Sequence, residues 1–257
     1  MYLEAHSATK SSTIEIEEKF VVPCDIEKRL MQWGFARQHC MEMTDWYFDT
    51  PSLQLLQQNV WLRCRQPERN GVTDDISRWQ IKIGQRTDSN PRDGSGASAT
   101  TVYVEIEGVP ALAKAVSYIS SPMNSARCNE CPNFLDVNSE LMIRNHTIPK
   151  IPNDVLLSQL LPLARIYARR TSWSILDVTV DLDETDFGHA VGEVEMVVED
   201  ETRVEAARSQ VREWAAKLQD PASITVEPSV AMGKLEYYLY HYRPSVYEFC
   251  LQSGVLG

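Results

Sequence analysis

The stretch Thr13-Ile14-Glu15-Ile16-Glu17-Glu18-Lys19-Phe20-Val21-Val22 alternates polar and apolar residues with a period of two. In an extended strand successive side chains point to opposite faces. Glu15, Glu17 and Lys19 therefore share one face, while Ile14, Ile16 and Phe20 share the other with Glu18. One face can enter an apolar core and the other carries charge of both signs.

Seven further stretches read the same way: Met41–Phe48, Val60–Gln66, Ser77–Gly84, Thr101–Gly108, Leu163–Thr171, Trp173–Asp183 and Ala190–Glu199. Eight strands suit a closed antiparallel barrel. Helical spacing predicts helices at Asp25–Gly34, Pro110–Ser120, Asn153–Leu161, Glu201–Leu218, Ser229–Tyr240 and Pro244–Gln252. In the fourth, Val204, Ala207, Val211, Trp214, Ala215 and Leu218 form one stripe suited to packing on a sheet. The expected class is α+β: an eight-stranded antiparallel barrel with a charged lumen, flanked by helices. Gln85–Thr100 and Ser121–Pro152 read as long loop insertions. No internal repeat or domain boundary is evident, so residues 1–257 are expected to form one domain with its core at about 13–242.

On many of the strands the charged face carries a pair of one sign. Arg63 and Arg65 share a face with Trp61, opposite Leu62 and Cys64; Gln80 and Lys82 oppose Ile81 and Ile83. Asp181 and Asp183 flank Leu182, and Glu193 and Glu195 flank Val194. One wet face is ordinary in an antiparallel sheet. Yet carboxylate pairs bind divalent cations and arginine pairs bind phosphate. If helices cover the apolar side, the charged faces can line a lumen that holds metal and polyphosphate together.

The formal net charge of −11 argues against a surface that coats nucleic acid. Arg63, Arg65, Arg69, Arg78, Lys82 and Arg86 nonetheless cluster, which fits a small anionic ligand. The N-terminal segment has no apolar signal-peptide core, and no stretch is long and apolar enough to span a membrane. A cytoplasmic protein with mostly free thiols follows. Cys128-x-x-Cys131 alone lacks the four ligands of a structural zinc site, so it reads as two loop thiols.

Glu15-Ile16-Glu17-Glu18-Lys19 has the form E-x-E-x-K. It is followed in order by Tyr47-Phe48-Asp49-Thr50-Pro51, Trp61-Leu62-Arg63-Cys64-Arg65 and Trp79-Gln80-Ile81-Lys82. Then come Glu105, Arg169-Arg170-Thr171-Ser172-Trp173, Asp181-Leu182-Asp183, Gly192-Glu193-Val194-Glu195 and Lys234. This ordered set resembles the CYTH, or triphosphate tunnel, family of metalloenzymes. The segments around Asp181 and Glu193 are most similar to its thiamine-triphosphate-hydrolysing branch.

The resemblance implies magnesium-dependent hydrolysis of a small-molecule triphosphate, thiamine triphosphate first, by a monomer that needs no nucleic acid or membrane. It implies phosphate binding by Lys19, Arg63, Arg65, Lys82, Arg170 and Lys234. Metal binding would fall to Glu15, Glu17, Asp181, Glu193 and Glu195, and Trp61 would stack on the thiamine moiety rather than merely pack. Glu105 matches an acidic tunnel position with its role left open. Tyr47 and Lys82 are implied as a catalytic dyad, against the alternative that Lys82 grips phosphate and Tyr47 packs. Asp183 is read as a carboxylate solvated at its strand's end, in preference to a tunnel residue. Tripolyphosphate or a nucleoside triphosphate is the alternative substrate, and a non-catalytic polyphosphate-binding module is the alternative class.

Overall fold

The computed structural model describes residues 12–69, 72–73, 78–85, 100–121, 143, 146–219 and 231–256. Most of the two loop insertions lies outside these residues, as do Cys128, Cys131, Arg86 and the first eleven residues.

The strands are β1 (Thr13–Phe20), β2 (Ala36–Asp49), β3 (Val60–Arg69), β4 (Val72–Thr73), β5 (Arg78–Gly84), β6 (Thr101–Glu107), β7 (Leu161–Ile175), β8 (Val178–Thr185) and β9 (Ala190–Val198). They are hydrogen-bonded in the order β2-β7-β8-β9-β1-β6-β5-β3-β4, and β2 also pairs with β3. Eight strands thus close into an antiparallel ring, and the two-residue β4 hangs on β3. Closure removes the exposed edges that an open sheet would present.

Two helices supply the outer cover. The stripe of α3 (Val204–Leu218) buries Ala207, Val211, Ala215 and Leu218 against Ile14, Ile16, Val180, Val194 and Met196. The helix α2 (Val109–Ser120) buries Ala111, Leu112, Ala115 and Ile119 against Leu62, Cys64, Trp79 and Ile81. The short α1 (Ile26–Gln32) adds Ile26 and Leu30 to the first of these layers. With the apolar faces turned outward to helices, the charged faces turn inward. Gly192 permits one close contact in this shell: a Cβ there would stand 2.2 Å from the Phe20 ring.

The helices α4 (Lys234–Tyr242) and α5 (Pro244–Gln252) do something different. Leu235, Tyr238 and Leu239 pack with Tyr47, Ala164 and Ile166, residues of β2 and β7. The pair thereby closes over one part of the lumen and brings Lys234 to it. No helix among the described residues is long and apolar enough to cross a membrane. Cys24, Cys40, Cys64 and Cys250 are unbridged thiols.

Several expected boundaries move. Leu163–Thr171 and Trp173–Asp183 are not two strands divided at Ser172: β7 runs unbroken through it, and the chain reverses at Leu176-Asp177. Asn153–Leu161 is not a helix. Only a 3-10 turn forms at Leu157–Gln159, and Leu161 already belongs to β7, where Pro162 follows. The helix expected from Ser229 begins at Lys234, immediately after Gly233. β2 extends well before Met41, along the full length of β7.

Candidate active site

The register sets the inner wall. Glu15 faces Tyr103 of β6, Glu17 faces Thr101 of β6 and Glu195 of β9, and Lys19 faces Glu193. Across the ring Trp61 faces Lys82, Arg63 faces Gln80 and Tyr47, and Arg65 faces Asp45. Asp181 faces both Ser172 of β7 and Glu193 of β9, and Asp183 faces Arg170. Alternation along each strand puts all these side chains on one face, so residues far apart in sequence converge.

They enclose a cavity of about 210 Å³. Of the residues singled out from the sequence, Glu15, Glu17, Lys19, Tyr47, Trp61, Arg63, Lys82, Arg170, Glu193, Glu195 and Lys234 line it. Arg65 and Asp181 belong to the same inner face but do not line the cavity. Arg65 makes a two-pronged bond to Asp45, Nε and Nη2 each 2.7 Å from a carboxylate oxygen. Asp181 accepts from Arg170 and from the Ser172 hydroxyl, the latter at 2.6 Å.

The charges interlock. Lys82 Nζ lies 2.5 Å from Glu15 Oε2 and 3.0 Å from Glu17 Oε2, and Lys19 takes the other Glu17 oxygen. Arg170 grips Asp183 through Nε at 2.8 Å and Nη2 at 2.6 Å, and reaches Glu193 at 3.1 Å. Arg63 lies 3.3 Å from Glu105 and donates to Gln80 at 2.8 Å. Paired, hydrogen-bonded charges are the form in which a dry interior tolerates ions.

The electrostatics divide the carboxylates in two. Burial works to raise Glu17, but Lys19 and Lys82 outweigh it and hold the group well below the usual carboxylate range. Asp45 is likewise buried yet held low by Arg65 and Arg63, and Asp183 by Arg170 and Lys234. Glu15 and Glu195 go the other way. Burial pushes Glu15 up despite Lys82, with Glu17 adding to the push; burial, Glu15 and Asp181 push Glu195 well up. Lys82 itself is held well above the ordinary lysine value, because Glu15 and Glu17 more than offset its burial.

Asp183 is not solvated. It is 1% exposed and holds both Arg170 and Lys234. Its strand continues to Thr185, so Asp183 stands inside the ring and not at its rim. Sequence reading also passed over Asp45 and Tyr103. Asp45 lies two residues before Tyr47, and Tyr103 two before Glu105, so the same alternation carried a signal for both. Tyr103 lines the cavity with its ring 5.3 Å from Lys82 Nζ. Tyr47 stands directly opposite Arg63 in the β2–β3 register and lines the cavity with it.

A model of the CYTH domain family matches residues 13–226. The chain belongs to that family. The CYTH relatives named thiamine-triphosphatase in Macaca fascicularis and Homo sapiens are 27% and 26% identical over 248 residues, covering 93% of this chain and 90% of each relative. Among solved structures, the PH1819 protein of Pyrococcus horikoshii is 16% identical, spans 79% of this chain and 89% of its own, and superposes with a TM-score of 0.47. The CYTH match begins at Thr13, the first residue of β1, and so includes the E-x-E-x-K strand that opens the inner wall.

Proposed function

We propose that this CYTH protein is a magnesium-dependent phosphohydrolase that converts thiamine triphosphate to thiamine diphosphate and phosphate. The observation that carries this reading is the single cavity in which Lys19, Arg63, Lys82, Arg170 and Lys234 face Glu15, Glu17, Glu193 and Glu195. A triphosphate tail concentrates negative charge along a chain, and five cations on separate elements can hold it at several points. The two thiamine-triphosphatase relatives support the reaction class. Trp61 on the cavity wall supports an aromatic, cationic head group, since an indole face attracts such a ring.

The donor set fits magnesium. Carboxylate oxygens are the ligands this hard cation prefers, and Glu15 and Glu195 are buried beside other acids whose repulsion an added cation would relieve. Among the described residues no three acidic, histidine or cysteine side chains form a ready-made cage. Lys82 instead holds oxygens of Glu15 and Glu17, and Arg170 holds oxygens of Asp181 and Glu193. Glu15, Glu17, Asp181, Glu193 and Glu195 would hold the metal, which when bound supplies Lewis-acid stabilisation of charge on the phosphate oxygens.

The protein's own groups then have distinct tasks. Lys19, Arg63, Arg170 and Lys234 bind and orient the phosphates and stabilise charge on the departing diphosphate. Asp45 fixes Arg65 and stands 3.7 Å from Arg63, so it steadies that grip from behind. Lys82, kept protonated by Glu15 and Glu17, fits a phosphate grip better than a general base. Tyr47 stands beside Arg63 on the same wall and borders the phosphate grip.

The test is phosphate release from thiamine triphosphate, tripolyphosphate and ATP in parallel at fixed magnesium, each with an EDTA control. The proposal expects the highest kcat/KM on thiamine triphosphate and its loss in EDTA. Preference for tripolyphosphate would keep the catalyst and reject the substrate. Tight polyphosphate binding with no release from any of the three would make the protein a binding module.

A further inference from the structure

We propose that Asn59 and Gly84 form a clamp that fixes the Trp61 indole and thereby sets the preference for an organic head group over bare polyphosphate; this rests on the triphosphate reading above. Asn59 ends the 3-10 turn Leu56–Gln58 in the left-handed region, at φ 57° and ψ 45°. Asparagine is among the few residues with a side chain that adopt this conformation readily. From there its side-chain oxygen accepts the Trp61 indole N–H at 3.1 Å. Its backbone carbonyl accepts the Gly84 N–H at 2.9 Å, tying the start of β3 to the end of β5.

Gly84 is what leaves room for the amide. A Cβ at that position would lie 2.0 Å from Asn59 Nδ2 and 2.4 Å from its Cγ. Any other residue at 84 must therefore push the asparagine side chain off the indole. Trp61 in turn stands opposite Lys82 in the β3–β5 register, and both line the cavity. The position of the ring relative to the phosphate grip is thus set by a side chain that does not line the cavity itself. Asn59 and Gly84 are positioning residues that act through Trp61. Without the clamp the indole regains rotation about its side-chain torsions, and stacking on a head group must first pay to stop it.

The test compares wild type with Asn59→Gly, Asn59→Asp and Gly84→Ala on thiamine triphosphate and on tripolyphosphate. Asn59→Gly keeps the left-handed backbone at no steric cost but removes the acceptor. It is expected to lower kcat/KM for thiamine triphosphate about fivefold, the worth of one net hydrogen bond, through KM, with tripolyphosphate unchanged. Gly84→Ala should follow it, and Asn59→Asp, which keeps the acceptor oxygen, should retain the wild-type ratio. The indole N–H signal of Trp61 in protein carrying 15N-tryptophan, assigned by its loss in Trp61→Phe, gives a readout independent of substrate. It should move in Asn59→Gly and Gly84→Ala and stay in Asn59→Asp. An unmoved signal in Asn59→Gly, or a moved signal with the substrate ratio unchanged, would overturn the inference. So would an equal loss on both substrates. A wild-type protein without preference for the organic triphosphate would overturn the substrate reading as well, and shows itself before any substitution is made.

Discussion

At Asp183 one buried carboxylate holds two cations, Arg170 and Lys234, that come from β7 and from the first turn of α4. Removing its charge leaves both partners buried with less compensation. Asp183→Asn is expected to destabilise the protein by about 3 kcal/mol, read from urea unfolding. Asp183 resisted reading from sequence because its burial depends on how far β8 continues beyond it and on where Lys234 arrives, neither of which a local pattern contains. Arg63, Lys82, Glu193 and their neighbours were legible, since period-two alternation alone puts them on one face. Trp61 is tested by truncation: Trp61→Ala should raise KM for thiamine triphosphate about tenfold, the worth of a desolvated cation–π contact, and spare tripolyphosphate. Equal effects on both substrates would assign Trp61 to packing.

Among the elements, the turn between β7 and β8 explains the largest misreading. Leu176 takes φ 52° and is 97% exposed, in a hairpin where glycine or asparagine is the usual signal. A leucine followed by aspartate hides that turn, so the sequence pattern breaks at Ser172 instead. The strain predicts its own relief. Leu176→Gly should stabilise the protein by up to about 1 kcal/mol in urea unfolding, because little burial is lost and the left-handed backbone becomes strain-free. The turn after β2 is organised differently. The buried Asp49 carboxylate accepts the N–H groups of Thr50, Leu55 and Leu56 at 2.7, 3.0 and 2.9 Å. Asp49→Ala would orphan three donors beneath the segment that leads to Asn59 and Trp61, and should cost about 3 kcal/mol in the same assay.

For the whole molecule, helices on the outside and charges on the inside make stability depend on pH in two opposed ways. Asp45, Glu17 and Asp183 are held below their ordinary values, so they stabilise the fold above about pH 4 and lose that contribution as pH falls further. Glu15 and Glu195 are raised, so their contribution is full below about pH 4 and is lost as pH rises through their folded values. Metal-free protein should therefore melt highest in mild acid, and magnesium should raise Tm more at pH 8 than at pH 5, because the metal needs the ionised carboxylates. Equal shifts at both pH values would detach the metal from Glu15 and Glu195. The ring closure behind this behaviour was legible as a strand count and a one-sided charge pattern; the inward course of α4 was not, because its apolar residues look the same whether they pack outside a sheet or within it.

On the proposed function, one lumen holds both the triphosphate chain and the metal. A crystal grown with tripolyphosphate and Mn2+ in place of magnesium, with anomalous data collected at the manganese edge, tests it most directly. A manganese peak is expected among Glu15, Glu193 and Glu195, with the phosphate chain running past it onto Lys19, Arg63, Arg170 and Lys234. Manganese and polyphosphate bound on the outer surface, with the salt bridges of Lys82 and Arg170 intact, would contradict it.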